Sequence, residues 1–152
     1  MSLVIVDFNN FWSPSGGGVR RYHLERMKFY RERDDATLVF VQNDARTFTE
    51  KVSKSLVIEH RKAFRFPGNW EYRFLWKQKD IRPYLEKYQP DIIEVGSPYV
   101  LPKAVSRAAK KVSKNSVLTA FWHADFPVTY VRRFFEKWGL SKIARFAESA
   151  AF

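Results

Sequence analysis

The chain contains no cysteine, which excludes disulfides, thiolate nucleophiles and thiolate zinc sites and fits a reducing cytoplasm. It has no apolar run near membrane-spanning length, so no transmembrane helix is expected. No basic segment precedes the apolar residues Leu3 to Val6, which read as a first strand rather than a secretory leader. Acidic residues are scarce: 16 Asp and Glu stand against 27 Lys and Arg, leaving a net charge of +11. That balance attracts anionic partners such as nucleotide phosphates, acidic lipid surfaces or nucleic acid, and does not choose among them. No nucleic-acid-binding motif accompanies it, and the bases are spread along expected helices, whose solvated faces account for most of them. Glycine is scarce as well, with six in 152 residues, yet Gly16, Gly17 and Gly18 are consecutive.

What is present is a chain of 152 residues, 45% hydrophobic and 17% aromatic, long enough for one domain with a sizeable core and too short for two ordinary ones. Its organising stretch is LVIVDFNNFWSPSGGGVRRY, residues 3–22. An apolar, β-branched run ends at Asp7, a loop carries the three glycines, and a helical pattern opens near Val19. A strand, a glycine turn and a helix in that order can bring bare backbone N–H groups to an anion at the positive end of the helix, with Arg20 and Arg21 adding charge. It can equally be a tight turn with solvated arginines. A dinucleotide fingerprint would need a third spaced glycine where Arg21 stands, and the terminal Gly-Lys-Ser/Thr of a P-loop is absent.

The remaining pattern alternates. Residues from about 19 to 33 read as an amphipathic helix with Val19, Tyr22, Met27 and Tyr30 on its apolar side. Thr37 to Val41 reads as the second strand and Asp44 as a turn or cap residue, and Arg46 to Ser53 could make a short helix before a third strand at Leu56 to Ile58. The stretch from His60 to Trp76 mixes aromatics with Arg and Lys around Pro67-Gly68 and reads as an inserted surface loop leading into a helix. Such a mixture can stack on nucleic acid or sit at a membrane interface, but aromatics near a helix usually belong to a core. Trp70, Phe74, Leu75, Ile81, Tyr84, Leu85 and Tyr88 continue a helical stripe, with Pro83 in a first turn or at a kink. A fourth strand at Asp91 to Val95 leads into Gly96-Ser97-Pro98-Tyr99, and Leu101, Ala104, Val105, Ala108 and Val112 mark the next helix. Ser116 to Trp122, the fifth strand, delivers His123-Ala124-Asp125 into a loop, before a helix from Val128 to Trp138 and a last alanine-rich segment.

About five strands alternating with helices predict an α/β, Rossmann-like, doubly wound parallel sheet in the order 3-2-1-4-5. In such a sheet ligands bind at the carboxyl edge where the winding reverses, here between the first and fourth strands. The glycine loop, Gly96-Ser97 and His123 all follow strands that end on that edge.

The reading Gly17-Gly18-x-Arg20-x-Tyr22, the Pro90-Asp91-Ile92-Ile93 stretch before Gly96-Ser97, and the loop His123-Ala124-Asp125-Phe126-Pro127 together resemble the N-terminal domain of GT-B glycosyltransferases of the family 4 type, over nearly the whole chain. The resemblance implies transfer of a sugar, with retention, from a nucleotide-sugar donor to a sugar or lipid-linked acceptor, with no cofactor beyond the nucleotide-sugar substrate. It implies that Gly16, Gly17, Gly18 and Arg20 lie near the donor diphosphate, that Gly96, Ser97 and Tyr99 form an acceptor-side edge loop, and that His123 and Asp125 are the catalytic pair. No metal is implied, and no Asp-x-Asp motif is present. It further implies that residues 1–152 form a single acceptor-side domain that ends before a nucleotide-binding C-terminal domain. The isolated chain is then expected to be inactive and to associate with itself. A cytoplasmic location, with peripheral contact to an anionic membrane, goes with this reading. The rival is a non-catalytic Rossmann-like module whose basic, aromatic surface engages nucleic acid or an anionic membrane. A lone histidine is often only structural, and His23 and His60 have no partner motif in the sequence.

Overall fold

The structure, a computed structural model, describes residues 2–66, 69–97 and 100–121. Its first strand, β1 (Leu3–Asn9), runs up the centre and turns through the glycine loop into helix α1 (Gly18–Arg31). The chain returns through β2 (Ala36–Asp44), β3 (Phe48–Lys51) and β4 (Leu56–Lys62). It then makes a hairpin of β5 (Phe64–Phe66) and β6 (Asn69–Phe74) before helix α2 (Gln78–Tyr88). Strand β7 (Ile92–Val95), helix α3 (Val100–Val112) and strand β8 (Val117–Ala120) follow.

The main sheet has six strands in the order β3-β4-β2-β1-β7-β8. Every pair in it is parallel except β3 with β4. Without β3 this is the order expected from the alternation of strands and helices. The register pairs Asp7 with Phe40 on one side and with Glu94 on the other.

Side chains alternate across such a sheet, and each face is covered. On one face Val6, Phe8, Val39, Val41, Ile93 and Val95 pack against Ile81 and Leu85 of α2 and Leu101, Val105 and Ala108 of α3. On the other, Ile5, Leu38, Phe40 and Leu56 pack against Met27 of α1 and Trp12 of the loop. The α1 face is the more polar, because β1 and β7 also present Asp7 and Glu94 there.

Three local expectations differ from what is seen. Residues 46–53 do not form a helix: Phe48 to Lys51 pair antiparallel with Val57 to His60. An eight-residue segment is too short to nucleate a helix against the cost of its first turn, and it gains a full ladder along the open edge of β4. The stretch from Phe64 to Phe74 is an antiparallel hairpin rather than a loop and a helix start. Its aromatics alternate with charged residues, Phe64-Arg65-Phe66 and Trp70-Glu71-Tyr72-Arg73-Phe74, which is the period of a strand and not of a helix. Helix α2 accordingly begins at Gln78 and carries Pro83 inside it, past the first turn, so the Lys79 carbonyl receives no helical N–H. In α1 the buried residues are His23 and Met27, while Tyr22 is exposed.

Candidate functional site

The carboxyl ends of β1 and β7 meet where the winding reverses, and two adjacent asparagines at the end of β1 build the floor there. Asn9 Oδ1 accepts from the Phe11 N–H at 2.7 Å and from Ser97 Oγ at 2.9 Å. Both bonds need an acceptor, so the amide nitrogen of Asn9 is turned to His23 Nε2, 2.5 Å away. Ser97 Oγ in turn accepts from the Asn10 N–H at 2.6 Å, and Gly96 N–H donates to the Phe8 carbonyl at 2.9 Å. The Gly96-Ser97 loop is therefore tied to the end of β1. Ser97 is buried, with its hydroxyl engaged by these asparagines.

Asn10 fixes the hairpin to the same place. Its side-chain amide donates to the Leu75 carbonyl at 3.0 Å and accepts from the Leu75 N–H at 2.9 Å, as a neighbouring strand would. Asn43, at the end of β2, donates to Asn10 Oδ1 at 2.9 Å and to the Arg73 carbonyl at 2.6 Å. No sequence motif marks this network. Its only trace is a polar residue at each strand end, after a run of apolar ones.

Above this floor lies the glycine loop. Gly16 donates its N–H to the Ser13 carbonyl at 3.0 Å, and a Cβ there would stand 3.0 Å from that oxygen, so the tight turn itself asks for glycine. Gly17 and Gly18 differ: a Cβ on either would meet nothing within 4 Å among the described residues. Gly17 is the N-cap of α1, no side chain among the described residues caps this helix, and its first turn has no acidic residue. Arg20 is half-buried and Arg21 exposed. Bare backbone and the positive end of a 14-residue helix are thus uncovered by the described residues.

The hairpin adds a group that the sequence did not single out. Glu71 accepts hydrogen bonds from Ser13 Oγ at 2.9 Å and from Ser15 Oγ. These two bonds, that from Ser15 foremost, hold its carboxyl below the usual glutamate range. A carboxylate therefore stands beside the glycine turn.

Beneath α1 lies a charged cluster. Arg26 Nη1 donates to Asp7 Oδ2 at 2.8 Å and its other nitrogen pairs with Glu94, while His23 Nδ1 lies 3.4 Å from Asp7 Oδ2. Burial pushes the Glu94 carboxyl up, partly offset by Arg26 and reinforced by Asp7. Burial also opposes the Arg26 charge, but Asp7 and Glu94 outweigh it and raise the pKa. His23 stacks on Phe40 with ring centres 4.6 Å apart. It is a packed partner of Asp7 and Asn9, below the floor rather than on it.

His60 also has partners, namely Asp44 at 2.8 Å and Glu50 at 3.4 Å, and it stacks on Phe48 at 3.9 Å. Asp44 accepts as well from the Ala45 N–H, in keeping with a turn residue. Among the described residues no group of three or more His, Asp or Glu side chains could hold a metal ion. Tyr99, His123 and Asp125, the other residues expected at the edge, lie outside the described residues, as do the helix and alanine-rich segment expected after them.

Among the described residues no helix is long and apolar enough to cross a membrane. The chain matches no curated protein. A family model described as Glycosyltransferase Family 4 matches residues 16–151.

Proposed function

Because the chain belongs to glycosyltransferase family 4, we propose that it forms the acceptor-side half of a retaining sugar transferase, with the glycine turn as the place where the donor diphosphate approaches. The observation that carries this is the space that the described residues leave over Gly17 and Gly18 at the start of α1, where none of them caps the helix, together with a Ser97 loop anchored on the end of β1. Departure of a nucleoside diphosphate builds negative charge on a phosphate oxygen and positive charge on the sugar ring. Backbone N–H groups at the start of α1 would stabilise that charge with little reorganisation, and Arg20 would add charge beside them. The bond from the anomeric carbon to the diphosphate breaks, and one from that carbon to the acceptor oxygen forms on the same face. The acceptor proton leaves with the diphosphate. His123 and Asp125 take the places nearest the reacting sugar and the acceptor in this reading. The nucleotide would be held by a second domain.

Donor contact can be tested without turnover. In amide NMR spectra of the isotope-labelled chain, titration with inorganic pyrophosphate, the part of the donor that this half would meet, is expected to shift Gly16, Gly17, Gly18 and Arg20 first, and Gly18→Val to suppress the response. Shifts confined to other surfaces, or none, would overturn the assignment of the turn.

A further inference from the structure

His23 lies beneath the floor and has no part in the chemistry proposed above, yet the bonds around it prescribe the state of its ring. Their directions are set by backbone donors. The Asn10 N–H can only donate, so Ser97 Oγ accepts it at 2.6 Å and sends its own proton to Asn9 Oδ1 at 2.9 Å. The Phe11 N–H donates to the same Oδ1 at 2.7 Å. Asn9 is thereby locked with its NH2 group toward His23 Nε2 at 2.5 Å. That nitrogen must then offer a lone pair, so the ring is neutral and carries its proton on Nδ1, 3.4 Å from Asp7 Oδ2.

The contacts form a line with one polarity. Ser97 donates to Asn9, Asn9 donates to His23, and His23 faces Asp7, with all of these residues buried. In so dry a setting each bond strengthens the next. Packing fixes the ring itself, which stacks on Phe40 with centres 4.6 Å apart and meets Trp12 edge to face at 6.2 Å. An imidazole held in this way keeps Nε2 in one place, and Nε2 keeps the Asn9 amide from turning over. A reversed amide would set its NH2 against the Phe11 N–H, donor against donor.

We propose that His23 is a positioning residue. Through Asn9 it ties the Ser97 loop, after β7, to the helix that begins at the glycine turn, in whose second turn it stands. Groups that pass a sugar between them have to be held at a set separation, and a small misplacement is costly. The tie between the two loops sets one such separation. Its service to sugar transfer rests on the function proposed above, whereas the tie itself does not. A histidine that only filled space would place no demand on its tautomer, and a phenylalanine would replace it.

The test is NMR of the full, isotope-labelled chain without ligand. Long-range proton–nitrogen correlations are expected to show the His23 ring neutral, with its proton on Nδ1 and Nε2 bare. His23→Phe keeps a ring against Phe40 and removes the acceptor. Amide exchange at Phe11 and Asn10, whose N–H groups donate to Asn9 Oδ1 and Ser97 Oγ, should then quicken about fivefold, the worth of one ordinary net hydrogen bond. Gly96, whose N–H donates to the Phe8 carbonyl outside this line, should keep its rate. His23→Gln, which offers an oxygen near the place of Nε2, should restore most of the protection. His23→Met, matched to glutamine in length and without that oxygen, should not, and this pair decides the matter even where the phenylalanine variant does not fold. A ring protonated on Nε2 would overturn the proposal. So would equal quickening at Gly96, unchanged rates at Phe11 and Asn10, or glutamine and methionine variants that behave alike. Each of these failures leaves the donor assignment standing, and a failed pyrophosphate titration leaves the tie.

Discussion

Asp7 is 1% exposed, and a carboxylate so deep in a sheet is tolerable only with its partners in place. Arg26 is the principal one. Arg26→Leu should therefore cost about 3–5 kcal/mol, mostly from the stranded charge rather than the lost pair. Urea unfolding would read this as a fall in midpoint at unchanged slope. Glu94 has the opposite character. Its folded pKa is raised by burial, so above the ordinary glutamate value the folded state holds a proton that the unfolded state has lost. Its contribution declines as pH rises through that window. Glu94→Gln should remove this decline from a stability–pH profile. Glu59 runs the other way. Burial opposes its charge, but bonds from Lys87 at 2.6 Å, from Tyr88 at 2.5 Å and from Thr49 at 2.8 Å outweigh that and lower the pKa. Its stabilisation is complete above the ordinary glutamate value and is lost as pH falls through the lower folded one. Glu59→Gln should make the profile shallower on the acid side.

At the scale of elements, the hairpin of β5 and β6 is held at its end by a side chain acting as a strand. Asn10 satisfies both backbone groups of Leu75, a residue that is itself buried. Asn10→Ala should leave these groups and Asn43 short of partners, for a cost of about 1–3 kcal/mol. Faster amide exchange at Leu75 than at Ile93 would localise the effect. Legibility of the sequence divides at this level. The parallel strands could be read because their apolar runs are continuous and bounded by turn residues, as at Leu38 to Val41. The hairpin is less legible, because its aromatics also extend a helical stripe toward Ile81 and Leu85, and only their alternation with Arg65, Glu71 and Arg73 carries the period of a strand. The glycine turn was visible because glycine is rare in this chain. Glu71 and the asparagine floor are not, since most of their partners lie 30 to 88 residues away, and nothing local marks them. Its spacing with Val19 puts Tyr22 on the expected apolar side of α1. The structure gives that place to His23, whose polar atoms find Asp7 and Asn9.

For the whole molecule the strand order was the easiest inference, because right-handed crossovers leave few arrangements of a β-α-β series. The net charge of +11 acts at the same scale. Like charges spread over one small surface repel, and salt screens them more than it screens the buried pairs of Asp7 and Glu59. Raising salt from low to physiological strength should therefore raise the urea midpoint, by an amount equivalent to about 1 kcal/mol. A fall would mean that exposed pairs such as Arg82 with Glu86 matter more than the excess of cations.

The two faces of the sheet differ in what joins them to their helices. Leu101, Val105 and Ile81 interlock with the strands on one side, and interlocked shapes resist small displacements because each step opens voids. Under α1 the joint includes Arg26 between Asp7 and Glu94, and a guanidinium between two carboxylates can tilt or lengthen its bonds without losing them. At β1 and β7 the molecule thus has a keyed side and a compliant one, while at β4 helix α2 is also joined by ions, Lys87 with Glu59 and Asp80 with Arg61. The compliant helix is the one whose first residues form the glycine turn, so a ligand at that turn would pull on the element that can yield by fractions of an ångström, while the rest of the sheet stays as a fixed frame.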